Sequence, residues 1–223
     1  MNRGTPGPAP RARGGRPALA ACIGLALAMA AARPASADLI LTAQDATAAA
    51  GSTGNSFDLV LKNTGPGSVT VGGFFFELTV ADAAITFTGV TIATSPAPYI
   101  FDGLGLIGPN IGTVVNGQDI MASDLFSVIG SGTTLGSGAS VGLGHVSFNA
   151  SATAAGSYTV RIAPSPATSL TDTSFPTPND IPITTLSNGT IRIRTASVPV
   201  PASIGLVGPG LALATLLGGR RRR

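Results

Sequence analysis

The side chains that could carry acid–base chemistry are few. The chain holds one histidine, His145, and a hydrolytic triad would need a nucleophile beside it, such as Ser140 or Ser147, and a group that orients the ring. Strand alternation predicts that His145 shares a face with Val141 and Leu143, and no neighbour in sequence would orient it. A lone histidine in a strand is more typical of a packed or rim residue. We therefore predict no catalytic residue and no enzymatic activity, with catalysis through His145 left as an alternative.

The carboxylates are more numerous but do not form a recognisable site. Glycoside hydrolysis needs two acids in a cleft, and the chain has one glutamate, Glu77, no tryptophan and two tyrosines. Secreted domains also bind calcium through loop oxygens. The acidic and amide side chains in or beside predicted loops are Asp102, Asp119, Asp124, Asp172, Asn179 and Asp180. Their spacing matches no EF-hand loop, so we predict solvated surface acids, no metal site and no cofactor, with calcium left as an alternative.

The single cysteine, Cys22, excludes a disulfide framework and cysteine-rich metal sites. Residues 19–22 also have the order of a bacterial lipobox. Cys22 stands near the beginning of an apolar run, whereas a lipobox closes one. We therefore expect Cys22 to be lost with the leader.

The N-terminus has the three parts of a secretory signal. Residues 1–17 carry four arginines and no acid, and residues 18–32 are small and apolar. Ala35 and Ala37 then form an A-x-A cleavage site. The apolar run is short for a bilayer span, so we predict a signal helix that signal peptidase removes by cutting between Ala37 and Asp38.

The C-terminus also has three parts in order. Val198, Pro199, Val200 and Pro201 precede an uncharged apolar segment, residues 202–219, and the basic cluster Arg220, Arg221, Arg222 and Arg223 ends the sequence. The segment is long enough to enter a membrane as a helix, and the arginines would act as a stop-transfer signal on the cytoplasmic side.

This tail resembles the PEP-CTERM protein-sorting domain. The resemblance covers residues 198–223 and departs at Val200, where the family usually has glutamate. It implies recognition and cleavage by exosortase, a membrane protease. It further implies a secreted or cell-surface protein of a Gram-negative-type bacterium, transiently anchored in the inner membrane, with a role in the extracellular matrix or biofilm.

The middle of the chain predicts one all-β domain. Short runs rich in valine, isoleucine, threonine and phenylalanine recur between glycine, proline, asparagine and serine clusters, and no sustained 3.6-residue apolar period interrupts them. The predicted strands are Leu39–Ala43, Ser56–Lys62, Ser68–Val80, Ala84–Ala93, Ile120–Ile129, Ser140–Ala150, Ser157–Ala163 and Gly189–Arg194. Residues 94–117 are predicted to be a long crossover connection with at most short strands, and residues 164–182 an irregular stretch along the surface.

Several of these strands alternate apolar and polar residues, which is typical of antiparallel sheets packed face to face. The fold class is therefore an all-β antiparallel sandwich, flanked by the signal helix and the C-terminal transmembrane helix. The domains are the signal peptide 1–37, the ectodomain 38–195 and the sorting tail 196–223.

The ectodomain resembles the cohesin family. In Gly73–Val90 a strand of alternating apolar residues runs through an aspartate-containing turn into a second strand, and Ser157–Val160 after a glycine turn is similar to the family's penultimate hairpin. The sequence departs at Ala83, where proline is common. The resemblance implies a jelly-roll sandwich and, as an alternative function, a recognition module that binds a protein partner or a polysaccharide, with or without calcium.

The charge distribution separates the ends from the middle. The whole chain carries +3, but nine of its 13 basic residues lie in the signal and the tail, and all ten acids lie between Asp38 and Asp180. The ectodomain keeps four basic residues against ten acidic ones, a formal charge of −6. Nucleic acid is therefore excluded as an expected partner.

Overall fold

The structure, a computed structural model, describes residues 36–194 together with Met1 and Gly7. Ala35, the motif 198–201, the segment 202–219, the cluster 220–223 and the predicted signal helix lie outside the described residues. The described residues form strands and no helix. The strands are β1 (Leu39–Ala43), β2 (Ala46–Ala49), β3 (Asn55–Asn63), β4 (Val69–Val71), β5 (Gly73–Val80), β6 (Ile85–Thr91), β7 (Gly112–Val114), β8 (Asp119–Leu125), β9 (Thr133–Leu135), β10 (Ser140–Ala150), β11 (Gly156–Ile162), β12 (Ser169–Thr171), β13 (Asp180–Ile181), β14 (Thr185–Ser187) and β15 (Gly189–Arg194).

Two sheets form the sandwich. The first has the order β14-β1-β3-β10-β6. The second runs β13-β12-β5-β11-β15-β2. β12 and β11 pair with the first and last residues of β5 along one edge, β8 pairs with the other edge of β5, and β7 pairs with β8. A separate ribbon pairs β4 with β9. Among the described residues no helix is long and apolar enough to cross a bilayer.

The core lies between the two sheets and is filled by alternate residues of their strands. On β5, Phe74, Phe76 and Leu78 point inward and are buried. On β3, Phe57 points inward and packs against the ring of Phe148, with centroids 6.0 Å apart. Burying each such side chain contributes about 1.5–3 kcal/mol, which is why the period-two pattern fixes which face of each strand is inside.

Two strand pairings correct the prediction of antiparallel sheets. β1 pairs with β14 in parallel, and β2 pairs with β15 in parallel. The chain leaves the first sheet at the end of β1, Ala43, and enters the second sheet at the start of β2, Ala46. The last two strands make the same change of sheet, since β14 lies beside β1 and β15 lies beside β2, each in the same direction as its partner. Gly189 allows this return, because a Cβ there would meet the carbonyl oxygens of Ala43 and Gln44. The sandwich is therefore mixed rather than purely antiparallel.

The strand boundaries agree with the sequence in part. Leu39–Ala43, Ser140–Ala150 and Gly189–Arg194 are confirmed residue for residue. The predicted strand Ser68–Val80 is broken at Gly72, whose backbone lies against the carbonyl of Asp172. The predicted strand Ile120–Ile129 ends at Leu125, and its last residues form a loop.

Candidate interaction surface

The histidine is on the opposite face from the one predicted. Pairing of β10 with β3 shifts register between Gly142 and Gly144, and this bulge turns His145 to the outer face of the first sheet. There His145 Nδ1 lies 2.6 Å from Oδ1 of Asp58, its direct cross-strand neighbour. The other carboxylate oxygen, Oδ2, accepts a hydrogen bond from the Ser95 N–H at 2.8 Å.

This pair does not assemble a triad in the described part of the chain. Asp58 orients the ring, which the sequence did not reveal, but neither Ser140 nor Ser147 forms a hydrogen bond with His145. Asp58 instead ties the strand face to the loop that crosses it, because it accepts the Ser95 N–H. A second hydrogen bond holds the same loop, since the Gly142 N–H donates to the Pro98 carbonyl at 2.8 Å. The arrangement holds a loop in place.

The candidate calcium residues are scattered. The described residues contain no group of three or more acidic, histidine or cysteine side chains that could hold a metal ion. Asp172 and Asn179 do meet, at 2.9 Å between Oδ2 and Nδ2. The Asp172 oxygens there accept hydrogen bonds from Asn179 and Ser174, so they close a loop. Asp102 and Asp180 are exposed, and Asp119 pairs with Asn116 in a turn.

The most unusual surface of the described residues is apolar. Seven large hydrophobic side chains remain exposed at one end of the sandwich, where β8 and β12 end and β5 begins. We call this surface the apolar pole; its residues are Leu104, Leu106, Ile107, Leu125, Val128, Ile129 and Phe175. Ile129 is 77% exposed and Phe175 is 73% exposed. Exposed apolar patches of this kind mark contacts with other molecules.

Backbone pairing joins the loops of the pole. The Leu106 N–H donates to the Leu125 carbonyl at 2.9 Å, and the Ser127 N–H donates to the Leu104 carbonyl at 2.8 Å. The Phe126 N–H continues the pairing to Gly72. A cavity of about 160 Å³ lies beside them and is lined by Leu125, Val128, Ile129 and Phe175, among others. The loops that carry the exposed side chains are thus adjacent at this end of the sandwich.

A buried carboxylate fixes the first of these loops. Asp124 is fully buried, and its Oδ2 accepts the Tyr99 hydroxyl at 2.7 Å. Its Oδ1 accepts the backbone N–H groups of Ile107 at 3.0 Å and Leu125 at 2.8 Å. Burial, followed by the Asp124 carboxylate, raises the pKa of the Tyr99 hydroxyl above its usual range. Gly105 is needed here because a Cβ would collide with Oδ2 of Asp124.

A second carboxylate closes the loop that presents Phe175. Asp172 Oδ1 accepts the Ser174 N–H at 2.9 Å and the Asn179 N–H at 2.8 Å. Hydrogen bonds from the Asn179 side chain and backbone, and then from Ser174, hold the pKa of the Asp172 carboxyl below its usual range. The loop is therefore tied at both ends and projects Phe175 outward.

The charged residues that flank the pole are all acidic. Residues 103–108 and 125–131 contain no charged side chain, and Asp102 and Asp172 flank them. The four cations of the described domain lie elsewhere, on β3, β11 and β15. The pole is an uncharged surface with an acidic rim.

The sequence contained a signal for this surface. Leu104, Leu106 and Ile107 are large apolar residues in a glycine-rich stretch that no predicted strand covers. The sequence predicts Val128 and Ile129 within the strand Ile120–Ile129, and this prediction is wrong because β8 ends at Leu125.

Comparison with known proteins bears on the fold. No family model matches the chain, and none of the curated proteins matches it. Several solved structures do. The fold is cohesin-like. A chain of the CaDoc0917–CaCohA2 complex matches with a TM-score of 0.53 at 16% identity, over 70% of this chain and 99% of that one.

Two further structures give the same result. A non-cellulosomal cohesin from the archaeon Archaeoglobus fulgidus matches with a TM-score of 0.50 at 16% identity, over 72% of this chain and 94% of that one. A cohesin–dockerin complex from Clostridium thermocellum matches with a TM-score of 0.50 at 16% identity, over 74% of this chain and 98% of that one. At this identity the likeness shows the fold, and it confirms the sandwich class predicted from the sequence.

Proposed function

We propose that this protein is an exported, non-enzymatic recognition module that docks a protein partner through the apolar pole. The observation that carries the proposal is the grouping of seven exposed hydrophobic side chains on loops held rigid by Asp124 and Asp172. Interface cores are depleted of charge and rich in such side chains, and loops on a rigid scaffold are where binding residues concentrate.

Two observations favour a protein as the occupant. The cohesin-like fold is shared with chains whose structures were solved as complexes with another protein, including the cohesin–dockerin complex of Clostridium thermocellum. The acidic rim and the lack of a lysine or arginine on the pole oppose an anionic membrane surface, which attracts basic segments.

The test compares variants of the pole with a matched apolar control. Ile129→Ser together with Phe175→Ser removes the two most exposed side chains of the pole and should leave the melting temperature near that of the wild type. Val115→Ser is the control, since Val115 is 55% exposed but lies at the other end of β8. Proteins recovered from the extracellular fraction of the producing organism should include one that the wild type and Val115→Ser bind and the double variant loses by about tenfold or more.

Equal recovery by the double variant and the control would refute the pole as the docking surface. A loss shared by both variants would indicate nonspecific apolar adhesion and would also count against the proposal.

We propose that the protein reaches this partner by secretion and PEP-CTERM-type sorting. The signal, the cleavage site at Ala35 and Ala37, the motif 198–201 and the terminal arginines support this. The predicted cut after Ala37 leaves every strand intact, because β1 begins at Leu39. Mass spectrometry of the exported chain should find Asp38 first and no Arg223, and an intact Arg223 on exported protein would overturn the processing step.

A further inference from the structure

A second surface is distinct from the apolar pole and lies on the outer face of the second sheet. On β11 and β15 the apolar side chains point inward, and Arg161, Arg192 and Arg194 fall on the alternate, outward positions. All three are exposed. We call them the arginine strip.

The strip contrasts with the charge of the domain. It holds three of the four cations of a domain with net charge −6, and the fourth, Lys62, lies on the first sheet. Within residues 36–194 none of the three guanidinium groups forms an ion pair or a hydrogen bond with another side chain. Their five donors each are therefore available to an outside acceptor.

The surface between the arginines is regular and hydroxylated. Arg192 lies opposite Ser157 in the β11–β15 register, and Thr159 lies opposite Thr190. Arg161 is four residues after Ser157 on β11, about 13 Å from the row that contains Ser157 and Arg192. The register of β11 with β15 runs without a bulge. Guanidinium groups thus stand at both ends of a strip of hydroxyl groups.

A shallow groove runs beside this strip. It has a volume of about 410 Å³ and is lined by Ser157, Thr159 and Arg161 on one side and by Asp82 on the other, among others. Asp82 is the acid of that groove, and its Oδ1 accepts the Ala84 N–H at 2.8 Å.

We propose that the arginine strip binds an acidic polysaccharide, with Arg161, Arg192 and Arg194 pairing with carboxylates spaced along the polymer. Planar guanidinium groups bind carboxylates in a bidentate way, and the intervening hydroxyl groups match sugar hydroxyls. The choice of a carbohydrate rests on the extracellular location in the proposed function; the anion site itself rests on the strip alone.

Two other polyanions fit the surface less well. Single-stranded nucleic acid is bound by stacking of successive bases on several aromatic side chains. β11 and β15 carry one aromatic residue, Tyr158, which is half-buried and lines the groove, so the surface has no row of rings on which bases could stack. A lipid surface near the end of β15 would meet Arg192 and Arg194 and not Arg161, which stands further up the face.

The test measures binding to polygalacturonate, with dextran as the neutral control. The protein is the full chain in which the nine arginines outside residues 36–194 are replaced by glutamine, so that the ends contribute no charge. Changing Arg161, Arg192 and Arg194 together to glutamine should weaken binding about tenfold. Lys62→Gln removes one positive charge from the other sheet and should leave the affinity unchanged, whereas Arg192→Gln, which also removes one charge, should weaken it.

Three further results are expected. Binding should weaken as salt rises, Asp82→Asn should tighten it, and Ile129→Ser with Phe175→Ser should leave it intact, which separates this site from the apolar pole. Equal affinity of the triple variant and Lys62→Gln, or equal binding of dextran, would overturn the proposal. So would tighter binding of duplex DNA, or binding of anionic vesicles that persists undiminished in Arg161→Gln while polygalacturonate does not bind.

Discussion

At the scale of single residues, Asn63 joins three separate segments of the chain. It is fully buried, and its Oδ1 accepts the N–H groups of Asp38 at 3.2 Å and Gly65 at 3.1 Å. Its Nδ2 donates to the carbonyls of Gly67 at 2.7 Å and Leu135 at 3.1 Å. One amide therefore fastens the residue before β1, the turn after β3 and the end of β9.

Replacing this amide should be costly. Asn63→Ala leaves several buried backbone groups without partners, and each such group costs about 1–3 kcal/mol. We expect the free energy of unfolding to fall by about 2–4 kcal/mol, measured by urea denaturation. Asn116→Ala, at an exposed turn, is the control and should cost about 1 kcal/mol or less; equal losses in the two variants would contradict the assignment.

Tyr99 makes the protein sensitive to alkali. Its pKa is raised in the folded state, so the folded chain holds this proton more tightly than the unfolded chain. The corresponding stability is complete below about pH 10 and is lost as the pH rises above that value. Tyr99→Phe should be less stable at neutral pH and should show a shallower decline in urea midpoint between about pH 9 and pH 11.

Tyr158→Phe is the matched control for this experiment, since the Tyr158 hydroxyl accepts the Ala155 N–H at the surface. The urea midpoint of Tyr158→Phe should fall with rising pH as steeply as that of the wild type. An unchanged decline in Tyr99→Phe would show that the Tyr99–Asp124 pair does not control the alkaline response.

At the scale of elements, the bulge in β10 determines which residues face the core. Gly144 fits because a Cβ would lie 2.6 Å from Cγ1 of Val90 and 3.1 Å from the ring of Phe76. Gly144→Ala should therefore overpack the core and lower the free energy of unfolding by about 1–3 kcal/mol. Gly136→Ala, where a Cβ would meet nothing within 4 Å, should be close to neutral, and a neutral Gly144→Ala would contradict this account of the bulge.

Sequence patterning predicted the long strands and not the short ones. β3, β5 and β10 alternate over many residues, so burial of one face determines them. β2 is four small residues and β13 is two, too short for a period to appear. His145 was assigned to the wrong face because a bulge inserts one residue, and no local composition marks it except glycines at 142 and 144.

The candidate surfaces were predictable to different degrees. The alternation of Arg192 and Arg194 with isoleucines on β15 was visible in the sequence, and the structure adds that Arg161 joins them. The apolar pole was not predicted, because residues 104–107 and 128–129 come together only through long-range pairing of loops.

At the scale of the whole molecule, the two ends of the sandwich have different roles in this account. β15 runs away from the apolar pole, and its end at Arg194 lies about 35–40 Å from the level of Gly73 by strand register. A tail that leaves after β15 therefore starts at the end opposite the pole.

Docking of a protein at the apolar pole can be tested by site-specific photo-crosslinking in the producing organism. A photoreactive residue is placed at Ile129 or Phe175, and matched exposed positions at Val115 and Thr47 serve as controls. We expect one discrete cross-linked protein from both pole positions and none of it from the controls. The absence of any cross-link from the pole, or the same pattern from all four positions, would contradict it.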